Sequence, residues 1–296
     1  MKESQTTSSI DGFVLNLAEL KSGDVILEAG YKPHSEAIKI KTGSHYSHAI
    51  IFLENSIFES TMSGSVFTRV PNRFYVKNEK DLKVIRHKTS LSNESLEFIT
   101  MHARTSIGTS YSISEAIISS KKNRPSTKKN NSQFCSRFVA EYLNAGGIKA
   151  VDNIHYCTPA ELENSGEFSE VQNAVKKATP EEMKHATSGR LHPKHQKATV
   201  EWIKKAKKLL KPNNNKVQTS GDIFQAILDA KNLKLDRAVA KAMIESGYTD
   251  NYNDDKEINT YRYDAEEFST RLKNGDISIE EEVRKEISIF RLQMKI

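Results

Sequence analysis

The amino-acid sequence predicts an α+β fold followed by a mostly helical C-terminal region. Two observations support this. In the first 170 residues, short apolar and β-branched runs alternate with turn residues and with segments of helical spacing. After about residue 170 the chain becomes Lys-rich and its apolar residues follow helical spacing. We therefore predict one domain over 1–170 and a second, basic region over 171–296, in line with the length expected for about two domains.

Composition narrows the class of protein. Charged residues make up 28% and hydrophobic residues 37% of the chain, which is enough for a packed core. The net charge of +6 and the pI of about 9.0 are compatible with an anionic partner but do not require one. With only two cysteines, a disulfide framework is not expected.

The sequence also bears on location. No stretch approaches the roughly 18–20 apolar residues of a membrane span. The first 13 residues lack the apolar core of a secretory signal peptide. We expect the protein to be cytoplasmic where it is made, and export as an effector by a route without a cleaved signal stays open.

Short elements separated by turns are predicted over the first 90 residues. Apolar, β-branched runs predict strands, and Glu54-Asn55 between two such runs predicts a two-residue hairpin turn. Gly43 is expected to end a short helix. In chain order we predict a short helix over 11–20, a turn over 21–24, a strand over 25–27, a helix over 35–41, paired strands over 49–53 and 56–60, and strands over 66–70 and 82–86.

Helices dominate the predicted elements from about residue 92 onward. A first helix ends at Gly108, and a polar, basic loop over 119–133 precedes a helix that Gly146 and Gly147 cap. Thr158 and Pro159 suit the N-cap and first position of another helix. The predicted helices cover 96–107, 134–145, a segment beginning at 158, 197–211, two segments within 220–246, and 278–295.

Cys135 lies in the first turn of a predicted helix, directly after a polar loop. The N-terminus of a helix carries unpaired N–H groups and a partial positive charge, which favour a thiolate. The same N–H groups can bind the oxyanion that forms when a carbonyl is attacked. We predict that Cys135 is a nucleophile, and the alternative is a small buried hydrophobe.

A thiolate nucleophile needs a base that is oriented by a third group. With a two-residue turn at Glu54-Asn55, residue 50 faces residue 59, so His48 and Glu59 are diagonal neighbours on one face of the hairpin. A three-residue loop would place them on opposite faces. We predict that His48 is the base and that Glu59 fixes its tautomer. His45 is the alternative base and Cys157 the alternative nucleophile.

Several segments resemble the circularly permuted branch of the NlpC-type papain-fold superfamily, in particular its YiiX/YebB-like group. In ordinary papain-like enzymes the cysteine precedes the histidine, whereas here the histidine-bearing hairpin comes first. Lecithin:retinol acyltransferases are more distant members of the same branch. The segments are GDVI over 23–26, SHYSHAIIFLENSIFES over 44–60, FCSRFVAEYLNAGG over 134–147, and shorter matches over 108–111 and 157–162.

This resemblance implies a permuted papain-like core, with a helix-borne cysteine against a small antiparallel sheet. It assigns the same three catalytic residues, Cys135, His48 and Glu59. The expected activity is that of a cysteine hydrolase cleaving a peptide or acyl-amide bond through an acyl-enzyme. A thiol acyltransferase acting on a lipid or a protein is the alternative, and a non-catalytic binding protein is the second alternative, disfavoured because all three residues are present. Nothing recognisable covers 171–296.

Four further residues are candidates for binding the oxyanion or the substrate. They are Tyr46, Ser47, Tyr111 and Ser136. For Tyr111 a role as a core aromatic residue is an equal alternative. For Ser136 the backbone matters more to the chemistry than the side chain.

Other classes of function find less support in the sequence. We expect no metal or cofactor, because there is no CxxC, HExxH or close Cys/His cluster. We expect no nucleic acid, because no recognition motif is present. The basic amphipathic helix over 197–211 suits an anionic membrane surface, and its alternative is a solvated helix that packs on the catalytic domain.

Overall fold

An antiparallel sheet of six described strands lies at the centre of the N-terminal half. The computed structural model describes residues 12–62, 65–69, 75–128, 130–187, 191–210 and 217–294. Neighbouring strands in the sheet are all antiparallel, and a separate two-stranded sheet joins β1 (Phe13–Leu15) to β8 (Val175–Lys177). In spatial order the six strands are β5 (Ser65–Arg69), β4 (Ser56–Thr61), β3 (His48–Leu53), β2 (Val25–Glu28), β6 (Leu82–His87) and β7 (Phe168–Glu170).

The β3–β4 hairpin has the register that the sequence predicts. Glu54 and Asn55 both adopt positive φ, 49° and 52°, as in the two-residue turns that match the twist of a hairpin. Leu53 pairs with Ser56 and Ile51 pairs with Phe58. Continuing this register by one residue places residue 50 opposite residue 59, so the prediction is confirmed.

The helix predicted over 11–20 is wrong. Phe13–Leu15 forms strand β1, and a single 3₁₀ turn follows at Leu17–Glu19. Val14 and Leu15 are both 2% exposed, and β1 pairs with β8, which lies about 160 residues later in the chain. This distant partner decides the conformation of a segment whose local pattern is ambiguous. Neither β7 nor β8 was predicted.

Helices make up most of the remaining described chain. The predicted helices over 35–41, 96–107 and 134–145 are present with shifted ends, whereas α3, α6, α10 and α11 were not predicted. The helices are α1 (Pro33–Thr42), α2 (Asn93–Thr105), α3 (Ile113–Ser119), α4 (Cys135–Ala145), α5 (Pro159–Glu163), α6 (Pro180–Thr187), α7 (Leu191–Leu209), α8 (Ser220–Ala230), α9 (Leu233–Glu245), α10 (Asn251–Ile258), α11 (Ala265–Lys273) and α12 (Ile279–Met294).

Helix α4 is held against β3 and β4 by its apolar face. Each fully buried side chain of this size contributes roughly 1.5–3 kcal/mol to folding. The burial therefore fixes the position of the helix whose first residue is Cys135. The four side chains of this face in the main core are Phe138, Val139, Tyr142 and Leu143.

The C-terminal helices have a hydrophobic core of their own. Trp202 and Ile203 of α7 are 1% and 3% exposed and pack with Ile223 of α8 and Val239 of α9. The apolar side of the basic helix predicted over 197–211 is therefore covered by protein. Within the described residues, no helix has the length and apolar character needed to cross a bilayer.

The C-terminal helices also contact the first half of the chain. Ile203 lies so close to Gly108 that a Cβ at this position would clash with it, and Gly108 has a φ of +88° that favours glycine. At the other end of the region, Ser288 of α12 donates a hydrogen bond to Glu54 in the hairpin turn, at 2.8 Å.

Candidate active site

Cys135 is the first residue of α4. The preceding residue, Phe134, is extended and provides no side-chain cap. The N–H groups of Cys135, Ser136 and Arg137 in this first turn have no carbonyl partner within the helix. Their dipoles make the environment of the Cys135 sulfur electropositive.

His48 begins strand β3 and connects the thiol to Glu59. Its Nε2 lies 2.8 Å from Oε2 of Glu59. Because Nε2 is engaged in this way, Nδ1 is the nitrogen left to interact with Cys135, which raises the pKa of His48. The His48 side chain is 19% exposed, so it can be reached from the adjacent cavity.

The electrostatics of this group favour the charge-separated state. Burial alone would raise the pKa of the Cys135 thiol, but the hydrogen bond and charge of His48, with backbone hydrogen bonds at Ala49 and Ser136, hold that pKa below its ordinary value. Burial alone would lower the pKa of His48, but Cys135 and Glu59 raise it well above its ordinary value. Between these two pKa values the thiolate and the imidazolium coexist.

Glu59 lies on β4 and is 3% exposed. A carboxylate as buried as this is costly unless it is paired. The hydrogen bond from His48 provides such a pair and orients the imidazole ring. The hairpin register is what brings the two residues together.

We expect Glu59→Gln to shift the alkaline limb of the pH profile of kcat/KM to lower pH. The neutral amide no longer favours the imidazolium, so the pKa of His48 falls and the alkaline limb moves to lower pH. The loss at the optimum should stay below the roughly 10²–10⁴-fold cost of removing a general base. An unchanged profile would contradict the role of Glu59.

A cavity of about 460 Å³ opens beside the three residues. This volume lies within the roughly 300–1,000 Å³ range of small-molecule sites. Cys135, His48 and Glu59 all line it. Its other lining residues come from the end of β2, from α1, β4 and the loop before α3, and from α7.

Two of the four supporting candidates line this cavity. Ser47 accepts a hydrogen bond from the Gly30 N–H at 3.0 Å. Tyr111 also lines it, and burial together with the charge of Cys135 raises the pKa of Tyr111. The Tyr111 hydroxyl therefore keeps its proton at neutral pH and can donate a hydrogen bond.

The other two candidates have side chains directed elsewhere. Tyr46 belongs to the main core and its hydroxyl donates to the Lys80 carbonyl at 3.2 Å, so its side chain is not brought to the cavity. The Ser136 hydroxyl donates to the Cys157 carbonyl at 2.8 Å. The backbone of Ser136, and not its side chain, helps to lower the pKa of the Cys135 thiol.

The structure places both rival residues outside the cavity. Nε2 of His45 lies 2.9 Å from Oδ1 of Asp81. Cys157 is fully buried, its thiol donates to the Ser136 carbonyl at 3.2 Å, and burial strongly raises its pKa. Cys157 is therefore held as a thiol.

A buried ion pair beneath the nucleophile was not anticipated from the sequence. Arg137 is 0% exposed and donates to Oε2 of Glu115 at 2.8 Å, while the Tyr156 hydroxyl donates to Oε1 of Glu115 at 2.8 Å. The guanidinium also lies 4.5 Å from the ring centre of Phe134. The one available signal was Glu115 itself, a lone carboxylate among the apolar residues of ISEAII.

Other features of the described residues do not adjoin this chemistry. No group of three or more His, Cys, Asp or Glu side chains arranged to hold a metal ion occurs within them. A larger cleft of about 620 Å³ lies between α2 and α8, and neither Cys135 nor His48 lines it.

Comparison with known proteins agrees with the permuted order of histidine and cysteine. No curated protein matches the chain. The crystal structure of the metalloprotein YiiX from Escherichia coli O157:H7 is similar, with 20% sequence identity and a TM-score of 0.41 over 52% of this chain and 97% of that one. Residues 19–188 match the family described as permuted papain-like amidase enzyme, YaeF/YiiX, C92. Because this match extends from before β2 to beyond β8, the chain belongs to the family of permuted papain-like amidases.

Proposed function

We propose that this protein is a cysteine hydrolase that cleaves an amide bond through an acyl-enzyme on Cys135. The observation that carries the proposal is the 2.8 Å hydrogen bond between His48 and Glu59, with Cys135 and both of these residues lining one cavity. The lowered pKa of the thiol and the raised pKa of the imidazole supply a nucleophile and an acid in one resting state.

The first half of the reaction forms the acyl-enzyme. The Cys135 thiolate attacks the amide carbon, a C–S bond forms, and the carbonyl electron pair moves onto oxygen. Backbone N–H groups at the start of α4 stabilise this oxyanion. His48 gives its Nδ1 proton to the leaving nitrogen, the C–N bond breaks, and the amine departs.

The second half regenerates the enzyme. His48, now neutral, takes a proton from a water molecule that attacks the thioester carbon. The tetrahedral intermediate collapses, the C–S bond breaks, and the acid leaves with Cys135 again a thiolate beside an imidazolium. Glu59 remains a carboxylate throughout and holds His48 in the tautomer that presents Nδ1 to sulfur.

Amide hydrolysis is preferred here over acyl transfer because the matched family is described as amidases. Transfer of the acyl group to an amine or a hydroxyl would begin with the same acyl-enzyme. The two reactions differ only in whether water or another nucleophile accepts the acyl group. Analysis of products by mass spectrometry distinguishes them, since only hydrolysis releases the free acid.

The proposal is tested by alkylating the protein with iodoacetamide across pH and mapping the modified cysteine by mass spectrometry. We expect fast labelling of Cys135 well below the ordinary cysteine pKa of about 8.5, and no comparable labelling of Cys157. His48→Ala should slow the reaction and return it to an ordinary thiol profile. His45→Ala is the matched control and should leave the profile unchanged. An ordinary thiol profile that His48→Ala does not alter would refute an activated Cys135.

A further inference from the structure

Among the residues that the structure describes, one that lines the catalytic cavity comes from outside the segment that defines the family. The family match ends at residue 188, whereas Gln196 of α7 lines the cavity together with Cys135 and His48. The C-terminal region therefore contributes a polar side chain to the wall of the site.

Helix α7 is anchored on both sides of Gln196. Before it, Nε2 of His195 lies 2.8 Å from Oδ2 of Asp254 in α10. After it, Trp202 and Ile203 are buried in the core of the C-terminal helices. These contacts hold the helix that carries Gln196 in place, and a residue that selects a substrate must be held in this way.

The same helix is tied to the strand that carries Ser60. On β4 and β5, Ser60 pairs with Val66. The Gly108 N–H donates to the Val66 carbonyl at 3.1 Å, and Ile203 of α7 packs directly over Gly108. This series of contacts places α7 beside β5, which pairs with the strand that carries Ser60.

The Ser60 hydroxyl is a buried polar group whose hydrogen-bonding capacity is not satisfied. Its side chain is 0% exposed and lines the cavity, and its Oγ has no hydrogen-bond partner among the described residues. A buried hydroxyl without a partner is unfavourable, and such groups occur where a ligand supplies the missing bond. Ser60 lines the same cavity as Cys135 and His48.

The chemistry of this pair fits an amide better than a charged group. The Gln196 carboxamide offers a donor and an acceptor, and a hydroxyl offers both as well. An amide of the substrate presents one N–H and one C=O in return. A carboxylate or phosphate would instead call for cations. Apart from the catalytic His48, the lysine that lines the cavity is Lys32, directly before α1.

We propose that Ser60 and Gln196 form a subsite that hydrogen-bonds a second amide group of the substrate, next to the bond that is cleaved. This rests on the proposed function and narrows the substrate class to compounds with at least two amide groups, such as peptides. The C-terminal region then determines specificity, while residues within 19–188 carry out the chemistry.

The test compares three reagents that modify Cys135. The first is an acetyl-dipeptidyl chloromethyl ketone, from which the thiolate displaces chloride. The second is its analogue with an ester oxygen in place of one amide N–H. The third is methyl methanethiosulfonate, which contains no amide and releases methanesulfinate. Second-order labelling rates are measured by mass spectrometry on the full chain.

We expect the wild-type protein to react faster with the amide reagent than with the ester analogue. Ser60→Ala and Gln196→Ala should each slow the amide reagent about fivefold, the usual value of one hydrogen bond, and reduce the difference between the two reagents. The rate with methyl methanethiosulfonate should not change. Lys197→Ala, on the exposed neighbouring position of α7, is the matched control and should leave all three rates unchanged. Ser60→Ala should keep its thermal stability, because it removes an unsatisfied hydroxyl.

Each contrary result is decisive. Unchanged amide rates in both variants, or no preference for the amide reagent in the wild type, would overturn the subsite. Equal slowing with methyl methanethiosulfonate would also overturn it, because the residues would then act on the thiol. An ordinary thiol profile of wild-type Cys135 with methyl methanethiosulfonate would refute the proposed function and the subsite with it.

Discussion

Cys135→Ala is expected to abolish amide hydrolysis, with a loss of at least about 10⁴-fold in kcat. The nucleophile and its base act as one unit, so the losses caused by removing each of them do not add. His48→Ala should therefore cost roughly the 10²–10⁴-fold typical of a general base or more. The double variant should be no slower than Cys135→Ala alone. The measurement is release of amine and free acid from a peptide amide, followed by mass spectrometry.

The second cysteine provides the control for this experiment. Cys157 is buried and its thiol donates to the Ser136 carbonyl, so Cys157→Ser retains a hydrogen-bond donor there. We expect most of the wild-type activity to be retained, because Cys157 does not line the catalytic cavity. Residual activity in Cys135→Ala that Cys157→Ser removes would instead assign the nucleophile to Cys157.

Breaking the buried ion pair of Arg137 and Glu115 is expected to lower the free energy of unfolding substantially. Both side chains are almost fully buried, at 0% and 2% exposure. Arg137→Met would leave the carboxylate of Glu115 buried without its cation, and such a change typically costs about 3–5 kcal/mol. We expect a lower denaturant midpoint in urea, with the slope of the transition unchanged.

Two further variants test the cause of this loss. Combining Arg137→Met with Glu115→Leu removes both charges, so the double variant should be more stable than Arg137→Met alone. Asp152→Asn breaks an exposed ion pair, in which the side chain of Asp152 is 97% exposed and that of Lys149 is 72% exposed. It should leave the denaturant midpoint nearly unchanged, because exposed ion pairs contribute little to stability. A loss in Arg137→Met as small as that in Asp152→Asn would contradict a structural role for the buried pair.

Much of the candidate site follows from local sequence. The turn at Glu54-Asn55 sets the hairpin register, and the register alone brings His48 and Glu59 onto one face. The position of Cys135 at the start of a helix likewise depends on residues next to it. The α+β class and the cysteine hydrolase class are confirmed, the latter by the family match. The closer relation to NlpC-type and lecithin:retinol enzymes, the boundary at residue 170, and the catalytic roles stay predictions.

Features that depend on distant contacts could not be predicted in this way. The sequence by itself determined the hairpin, the nucleophile helix and the order of histidine before cysteine, because turns, caps and apolar periodicity act between neighbouring residues. Only the tertiary structure decided that Phe13–Leu15 is a strand, that the side chain of Tyr46 lies in the core, and that Gln196 reaches the cavity. Each of these depends on partners far along the chain, and local periodicity carries no information about which distant surfaces meet when the core closes.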